Sequence, residues 1–183
     1  MTTKTTTFLC ACFCLFIIAC NNNYKGENYT AFDSMDKLVH EIVQSIKEND
    51  EPQMLQLMNN DALLFDLLNN ATGTDAQKTK AYLGTEEGKR NFEISQSSKK
   101  QRINAFFTTG LPTQITINKA AFRTSGFALQ EDKPYSQGSP AHVQNYQIVL
   151  DNGNSESYTY DIEVIYWYDK YHLVEAAGFL NKQ

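Results

Sequence analysis

The chain after residue 33 begins with apolar residues repeated at the period of an α-helix. Counted from Met35, apolar positions recur after 3, 4, 7, 8 and 11 residues, and charged residues fall between them. The apolar positions are Met35, Leu38, Val39, Ile42, Val43 and Ile46. This spacing predicts an amphipathic helix that buries one stripe, with Asp33 or Ser34 as its N-cap.

More helices are expected up to residue 110. The Asn-Asp-Glu-Pro sequence at 49–52 breaks the chain, and its proline suits the first turn of a second helix. Asp61 is expected to cap a third helix, and residues 74–84 form a short fourth helix that ends at a glycine. A longer helix is expected from Glu86 to Phe107. The Gly-Leu-Pro sequence at 110–112 should stop it.

From Ile115 the pattern changes to the alternation that is typical of strands. A polar loop at 131–140 separates two strand-like segments, Asn152-Gly153 predicts a tight hairpin, and Asp169-Lys170 predicts another turn. Helices first and strands afterwards predict an α+β fold. We expect N-terminal helices packed on a curved antiparallel sheet of about four strands, in a single domain over residues 34–183.

A separate apolar run occupies residues 8–19, behind a start that carries Lys4 and no acid. The run is too short to span a bilayer, which takes about 20 apolar residues. A charged start, a short apolar stretch and a small residue at its end are typical of a secretory signal peptide. The alternative is a buried helix or strand, but a run that stops at three asparagines does not suit a core.

The sequence Ile17-Ile18-Ala19-Cys20 resembles the bacterial lipobox. Residues 9–12 also fit this pattern, but cleavage there would leave almost no apolar segment for export. The resemblance implies that residues 1–19 are removed, that Cys20 becomes the lipidated first residue, and that residues 20–33 form a tether. It implies a cell-envelope lipoprotein of the outer membrane, held to the membrane by its lipid anchor.

Composition narrows the function further. All four cysteines lie within the first 20 residues, so a processed chain would keep no free thiol for redox chemistry or metal binding. Three scattered histidines add no metal motif, and we expect no metal and no cofactor. The net charge of −5 and the absence of a long basic run do not suit nucleic-acid binding.

Two segments carry a resemblance to a known family. VIYWYDKYHLVEAA (164–177) looks like the end of the nuclear transport factor two-like and cystatin-like cone folds. IKENDEPQMLQLM (46–58) resembles the paired helices that often open them. The resemblance implies a cone-like domain over most of residues 34–180. It implies no particular activity, because this fold hosts enzymes, binding modules and inert scaffolds.

A trial strand register gives a first candidate cluster. Pairing Asp151 with Asn154 across the Asn-Gly turn puts His142 opposite Glu163, with Asp161 two residues along. These three residues are a candidate surface polar cluster, either an acid/base pair or a metal site. The alternative is a solvated cross-strand pair, which we favour because enzymes bury such groups to tune them.

Pairing Tyr168 with Tyr171 gives a second candidate. Glu175 is then opposite Val164, as the one acid on a tyrosine-rich face, where burial would raise its pKa. Tyr160, Tyr166 and Glu175 form the candidate pocket. The alternative is a glutamate satisfied by a tyrosine hydroxyl or by solvent at the sheet edge.

These observations leave three functional hypotheses open. The one we favour is a non-catalytic module that binds a protein partner or a small apolar or aromatic ligand. The second is an immunity-type lipoprotein that neutralises a periplasmic toxin, which predicts an exposed acidic patch. The third is a small cone-fold isomerase or hydrolase, which predicts a closed cavity of several hundred Å³ around Glu175.

Overall fold

The computed structural model describes residues 29–136 and 139–183, and it confirms the predicted α+β fold. The helical elements are α1 (Met35–Glu48), α2 (Glu51–Leu57), α3 (Asp61–Asn70), α4 (Thr74–Leu83), α5 (Glu86–Ala105), a π-helical turn (Phe106–Gly110) and α6 (Leu111–Gln114). The strands are β1 (Arg123–Pro134), β2 (His142–Asp151), β3 (Ser157–Trp167), β4 (Lys170–Ala176) and β5 (Asn181–Lys182). Among the residues described, no helix has the length and apolar character needed to cross a bilayer.

Helix α1 forms as its sequence pattern predicts. The Ser34 hydroxyl accepts a hydrogen bond from the Lys37 N–H at 3.4 Å, which satisfies one of the free donors of the first turn. All six apolar positions of the stripe are buried. Asn49 ends the helix in the left-handed conformation, at a φ of 57°.

The end of the helical half differs from the prediction. Gly110 keeps helical angles (φ −65°, ψ −60°), and the chain continues through the π-helical turn into α6. Pro112 is in the first turn of α6, where a missing N–H costs no hydrogen bond. The predicted stop at residue 110 is therefore wrong. Ile115 is buried in the core but belongs to no strand, because β1 starts only at Arg123.

The sheet is an antiparallel meander in the order β1-β2-β3-β4, and β5 pairs with β3. We call the side of the sheet that faces α1 and the π-helical turn the inner face. Its buried apolar side chains are Ile148, Leu150, Tyr158, Tyr160, Ile162, Val164 and Leu173, and they share one core with α1, Phe106 and Phe107. The main core of the domain therefore lies between the inner face and these helices.

The opposite side, the outer face, is covered over part of its length by α3. Ile165, Trp167 and Val174 point to this side and pack against Leu63 and Leu67 of α3. Trp167 keeps only 1% of its surface exposed. A second, smaller core thus covers one end of the outer face, and the other end stays open.

The hairpin between β2 and β3 has a longer loop than predicted. Asp151 pairs with Ser157, not with Asn154, so five residues (152–156) form the loop. Asn152 is buried, and its side-chain oxygen accepts hydrogen bonds from the N–H groups of Asn154 (2.8 Å) and Glu156 (3.2 Å). This side chain stabilises the wide loop in place of a two-residue turn, and it moves the register by three residues.

The hairpin between β3 and β4 differs by one residue. Its turn is Tyr168-Asp169, with φ values of 49° and 58°, and Trp167 pairs with Lys170. Two left-handed residues in sequence suit the right-handed twist of a hairpin. Farther along, the register between β3 and β4 shifts again, so that Glu163 pairs with Glu175. This irregularity at Val174 is a β-bulge, which turns the following side chain to the other face.

Residues 29–33, which the sequence assigns to the tether, pack on the domain. Tyr29 is buried, and Phe32 forms an antiparallel bridge with Tyr171 at the start of β4. We call residues 29–33 the N-terminal strap. Residues 29–33 therefore belong to the domain and not to the predicted tether.

Candidate functional site

An open groove of about 630 Å³ lies on the outer face, in the part that α3 leaves uncovered. We call it the outer-face groove. Its polar lining residues are Arg102, Gln130, Asn145, Asp161, Glu163 and Glu175, and its other lining residues are Ala105, Tyr146, Ile162, Ala176, Ala177, Gly178 and Phe179. The groove therefore combines charged groups with apolar surface.

The groove exists because the chain leaves the sheet after β4. The Ala177 N–H still donates to the Asp161 carbonyl at 2.9 Å. Residues 178–180 then form a loop between β4 and β5. This loop carries Phe179, whose side chain is 51% exposed. The C-terminal part of α5 contributes Arg102 and Ala105 to the same groove. Phe179 thus forms an exposed apolar lip beside the sheet.

Two glutamates define the electrostatics of the groove. Glu163 and Glu175 are direct cross-strand neighbours, and the Glu175 carboxylate accepts a hydrogen bond from the Arg102 guanidinium. Partial burial, and then the charge of Glu175, raise the pKa of Glu163. Within the described residues, the side-chain carboxylate of Glu163 has no hydrogen bond or ion pair. Glu163 is therefore a half-buried carboxylate without an ion pair, although the charges of Lys133 and Lys99 partly oppose the rise of its pKa.

A lysine on α5 lies close to this pair. Burial lowers the pKa of the Lys99 ammonium, although Glu175 and Asp61 oppose that shift. The lining of the groove itself holds three carboxylates, those of Asp161, Glu163 and Glu175, against the single guanidinium of Arg102. The groove is therefore acidic overall, and its field favours a cationic group.

The structure does not form the predicted pocket of Tyr160, Tyr166 and Glu175. Tyr160 is fully buried in the inner-face core, where its ring stacks on Phe106 with 5.5 Å between centroids, and burial raises its pKa. The Tyr166 hydroxyl donates to Asp169 at 2.9 Å. Glu175 lies on the outer face, because the bulge at Val174 reverses the predicted alternation.

The predicted cluster of His142, Asp161 and Glu163 is not formed either. His142 pairs with Tyr166 and lies on the inner-face side of β2, whereas Asp161 and Glu163 point to the outer face. Asp161 accepts a hydrogen bond from Gln147 at 3.0 Å. The three-residue change in register explains the error, because an odd shift exchanges the two faces of a strand.

His142 belongs instead to a polar network that the sequence did not reveal. Its Nδ1 lies 2.7 Å from one carboxylate oxygen of Asp132, and the Gln144 amide donates to the other at 3.3 Å. The Tyr146 hydroxyl donates to Gln144 at 3.1 Å. Asp132 was missed because the sequence places it in a loop. The alternation of His142, Gln144 and Tyr146 along β2 was the signal that pointed to this face.

The network holds the His142 ring in one orientation, but at an open position. The side chains of His142 and Asp132 are 41% and 39% exposed. Such partly solvated hydrogen bonds contribute about 0.5–1.5 kcal/mol each to stability. We therefore interpret the network as a set of hydrogen bonds that stabilises the pairing of β1 with β2.

Metal ligands do not converge in the part of the chain that the structure describes. Over residues 29–136 and 139–183, no group of three His, Cys, Asp or Glu side chains is placed to hold a metal ion. Cys20 lies outside the described residues, so its lipidation stays a prediction from the sequence.

Comparison with known proteins does not assign the chain to a family. No protein-family model, no curated protein and no solved structure matches the chain at a significant level. The resemblance to the lipobox and to the cone folds is therefore untested by comparison, and the function must be argued from the residues.

Proposed function

We propose that this chain is a lipid-anchored cell-envelope protein that binds a protein partner in the outer-face groove and does not act as an enzyme. The observation that carries this proposal is the half-buried Glu163 carboxylate, which forms no ion pair among the described residues and lies in a groove with an exposed apolar lip. The membrane part of the proposal rests on the lipobox-like sequence that ends at Cys20.

The chemistry of the groove indicates what the partner presents. A lysine or arginine side chain of the partner would give Glu163 the direct ion pair that the described residues do not form, and hydrogen bonds to charged groups contribute about 1.5–3 kcal/mol. Arg102 already holds Glu175, so the site for a new cation is at Glu163. We therefore expect a basic residue of the partner at this point.

The lip of the groove indicates a second element of recognition. Complete burial of a phenylalanine side chain contributes about 1.5–3 kcal/mol, and Phe179 has about half of its surface left to bury. An aromatic side chain in the centre of a contact, surrounded by polar groups, is typical of protein interfaces. The partner segment should thus carry an apolar side chain beside its basic residue.

Site-specific photo-cross-linking in cells tests this proposal. A photo-reactive phenylalanine analogue replaces Phe179 in one protein and Tyr168 in the other, because the two aromatic residues have nearly equal exposure, 51% and 49%. We expect a defined protein adduct from position 179 only. Glu163→Lys should remove that adduct by repulsion of the basic residue, and Cys20→Ser should move the protein out of the membrane fraction.

Two outcomes contradict the proposal. Equal adducts from both positions would show that the groove is not the interface, and an adduct that survives Glu163→Lys would show that no basic residue is recognised there. A Cys20→Ser protein that stays in the membrane fraction contradicts the lipid anchor alone and leaves the groove result to stand by itself.

One alternative is favoured by the same observation. An immunity-type lipoprotein predicts an exposed acidic patch, and Asp161, Glu163 and Glu175 supply one. A gene for a basic secreted toxin beside this one would identify the partner. The enzyme hypothesis lacks such support, because Glu175 lines an open groove and is paired with Arg102.

A further inference from the structure

The N-terminal strap (residues 29–33) is held to the domain by backbone hydrogen bonds. The Phe32 N–H donates to the Tyr171 carbonyl at 3.0 Å, and the Tyr171 N–H donates to the Phe32 carbonyl at 2.9 Å. This pair of bonds adds the strap to the exposed edge of β4 for one residue. A single bridge is a weak attachment by itself, because most of the strap is outside the ladder.

Side chains hold the strap at two further points. The Thr30 hydroxyl donates to the Gln56 carbonyl at 3.2 Å, and the Tyr29 hydroxyl donates to the Asp66 carboxylate at 3.3 Å. The Tyr29 ring belongs to the outer-face core that also contains Trp167. The strap therefore lies across α2, α3 and the start of β4.

A buried histidine lies beneath the strap. His172 has no exposed surface, and its Nδ1 is 3.0 Å from the Thr30 carbonyl. Because a carbonyl oxygen only accepts, Nδ1 carries the hydrogen. The Tyr29 ring meets the imidazole edge-on, with 5.4 Å between centroids. Nδ1–H can donate to Thr30 in both the neutral and the protonated ring, so what the docked strap imposes on His172 is burial away from water.

The surroundings of His172 oppose a second proton. Burial lowers the pKa of its imidazole, the hydrogen bond to Thr30 opposes that shift, and the positive charge of Lys170 adds to it. Across the sheet, β3 presents the apolar Ile165 to this position.

Three more charged groups lie around the strap. Asp33 forms ion pairs with both Lys170 and Lys37, and Asp66 of α3 bonds Tyr29. These acids are engaged with other groups, and among the described residues Lys170 is the charged side chain that lowers the pKa of the imidazole. Protonation of His172 would place two positive charges close together under the strap.

We propose that the N-terminal strap is an acid-released latch, in which protonation of His172 frees residues 29–33 from the domain while the domain stays folded. The sign follows from linkage: the docked form binds fewer protons than the released form, so acid favours release. The latch is at full strength above the ordinary histidine pKa of about 6.5 and is lost as the pH falls below it.

Release would change how far the domain extends from its attachment point. Five extended residues add about 17 Å of reach at about 3.3–3.6 Å each. In the anchored protein of the proposed function, this would raise the outer-face groove farther from the bilayer in acid. The latch itself does not depend on the anchor, so the two proposals are tested separately.

Hydrogen exchange of the purified protein tests the latch. The measurement compares the protection factors of the Phe32 and Tyr171 amides at about pH 7.5 and about pH 5, on either side of the ordinary histidine pKa. Linkage to one proton allows at most about a tenfold change per pH unit, and we expect a loss that approaches this slope. The amides of α1 should keep their protection, which separates release of the strap from unfolding.

Two variants isolate the histidine. His172→Asn keeps an N–H donor for the Thr30 carbonyl but cannot be protonated, so its strap should stay protected at low pH. His40→Asn, at an exposed histidine of α1, should release like the unchanged protein. If His172→Asn fails to fold, NMR titration of the His172 ring in the unchanged protein replaces it, and its midpoint should coincide with the loss of protection.

Clear results overturn the latch. Protection of Phe32 that is equal at both pH values, or that is lost equally in His172→Asn, shows that the histidine does not control the strap. A ring titration whose midpoint differs from that of strap release leads to the same conclusion.

Discussion

The two faces of the sheet are built from the same strands but differ in what covers them. The inner face packs against α1 and the π-helical turn, in a core that includes Tyr160 and Phe106. Within the described residues, α3 covers the outer face around Trp167, and the part of this face beyond it is open as the outer-face groove. One face is therefore devoted to stability, and the other has surface left for binding.

This difference teaches where function is to be sought in such a fold. Apolar burial on the inner face leaves Tyr160 without access to a partner. The outer face keeps charged groups such as Glu163 at partial burial, where a ligand could reach them. Tyrosine content alone thus pointed to a face on which Tyr160 is buried in the core.

The largest effect should come from the inner face. Phe106→Ala removes a fully buried ring that stacks on Tyr160, and such truncations cost about 3–5 kcal/mol of the free energy of unfolding. Phe179→Ala, at the exposed lip of the outer-face groove, should change it by about 0.5 kcal/mol or less. Urea denaturation of both variants measures the contrast, and equal losses would break the comparison.

A smaller effect of opposite sign is expected at Tyr160. Its hydroxyl is buried and has no hydrogen-bond partner among the described residues. A buried hydroxyl without a partner costs about 1–3 kcal/mol, so Tyr160→Phe should raise the free energy of unfolding. Tyr158→Phe is the matched control, because its hydroxyl donates to Glu156 at 2.9 Å, and this variant should lose stability. Destabilisation by Tyr160→Phe would show that its hydroxyl is bonded in solution.

The part of the fold that the sequence predicts is the part that local physics determines. The stripe of α1 and its cap at Ser34 depend on residues within a few positions of each other, and both are confirmed. The order of helices and strands follows from periodicity in the same way. The end of α5 was misjudged because Pro112 is as acceptable in a first turn as after a last one.

The candidate site could not be predicted, because it depends on register. The buried Asn152 side chain replaces the expected Asn-Gly turn by a wider loop, and Tyr168 takes a positive φ that the sequence gives no reason to expect there. A bulge at Val174 then moves Glu175 to the other face. Three local features, each small, decided which side chains meet.

Sequence patterns also could not predict which segments pack on the outer face. Leu63 of α3 and Trp167 of β3 are about a hundred positions apart along the chain, and the local sequence of neither segment indicates that the two are in contact. The N-terminal strap shows the same limit, since Tyr29 lies in a polar stretch and yet is buried. Long-range packing, not periodicity, determines which part of the outer face remains open.

The smallest effect should come from Glu163, on the open part of the outer face. Its raised pKa means that the folded protein holds this proton more tightly than the unfolded chain, so ionisation of Glu163 opposes folding. Glu163→Gln removes that cost. Because the group is half-exposed, solvent screening limits the gain at neutral pH to under about 1 kcal/mol.

The pH dependence identifies the source of this gain. The advantage of Glu163→Gln should be present at neutral pH and vanish below the ordinary glutamate pKa of about 4.3, where the native carboxyl is protonated as well. Asp161→Asn is the matched control, because Gln147 already donates a hydrogen bond to this exposed carboxylate, and the variant should give no gain in stability at neutral pH. Urea denaturation across this pH range measures both variants. A glutamine variant that is less stable at neutral pH would mean that ionised Glu163 stabilises the fold. The outer face would then lack an unpaired carboxylate for the basic residue of a partner.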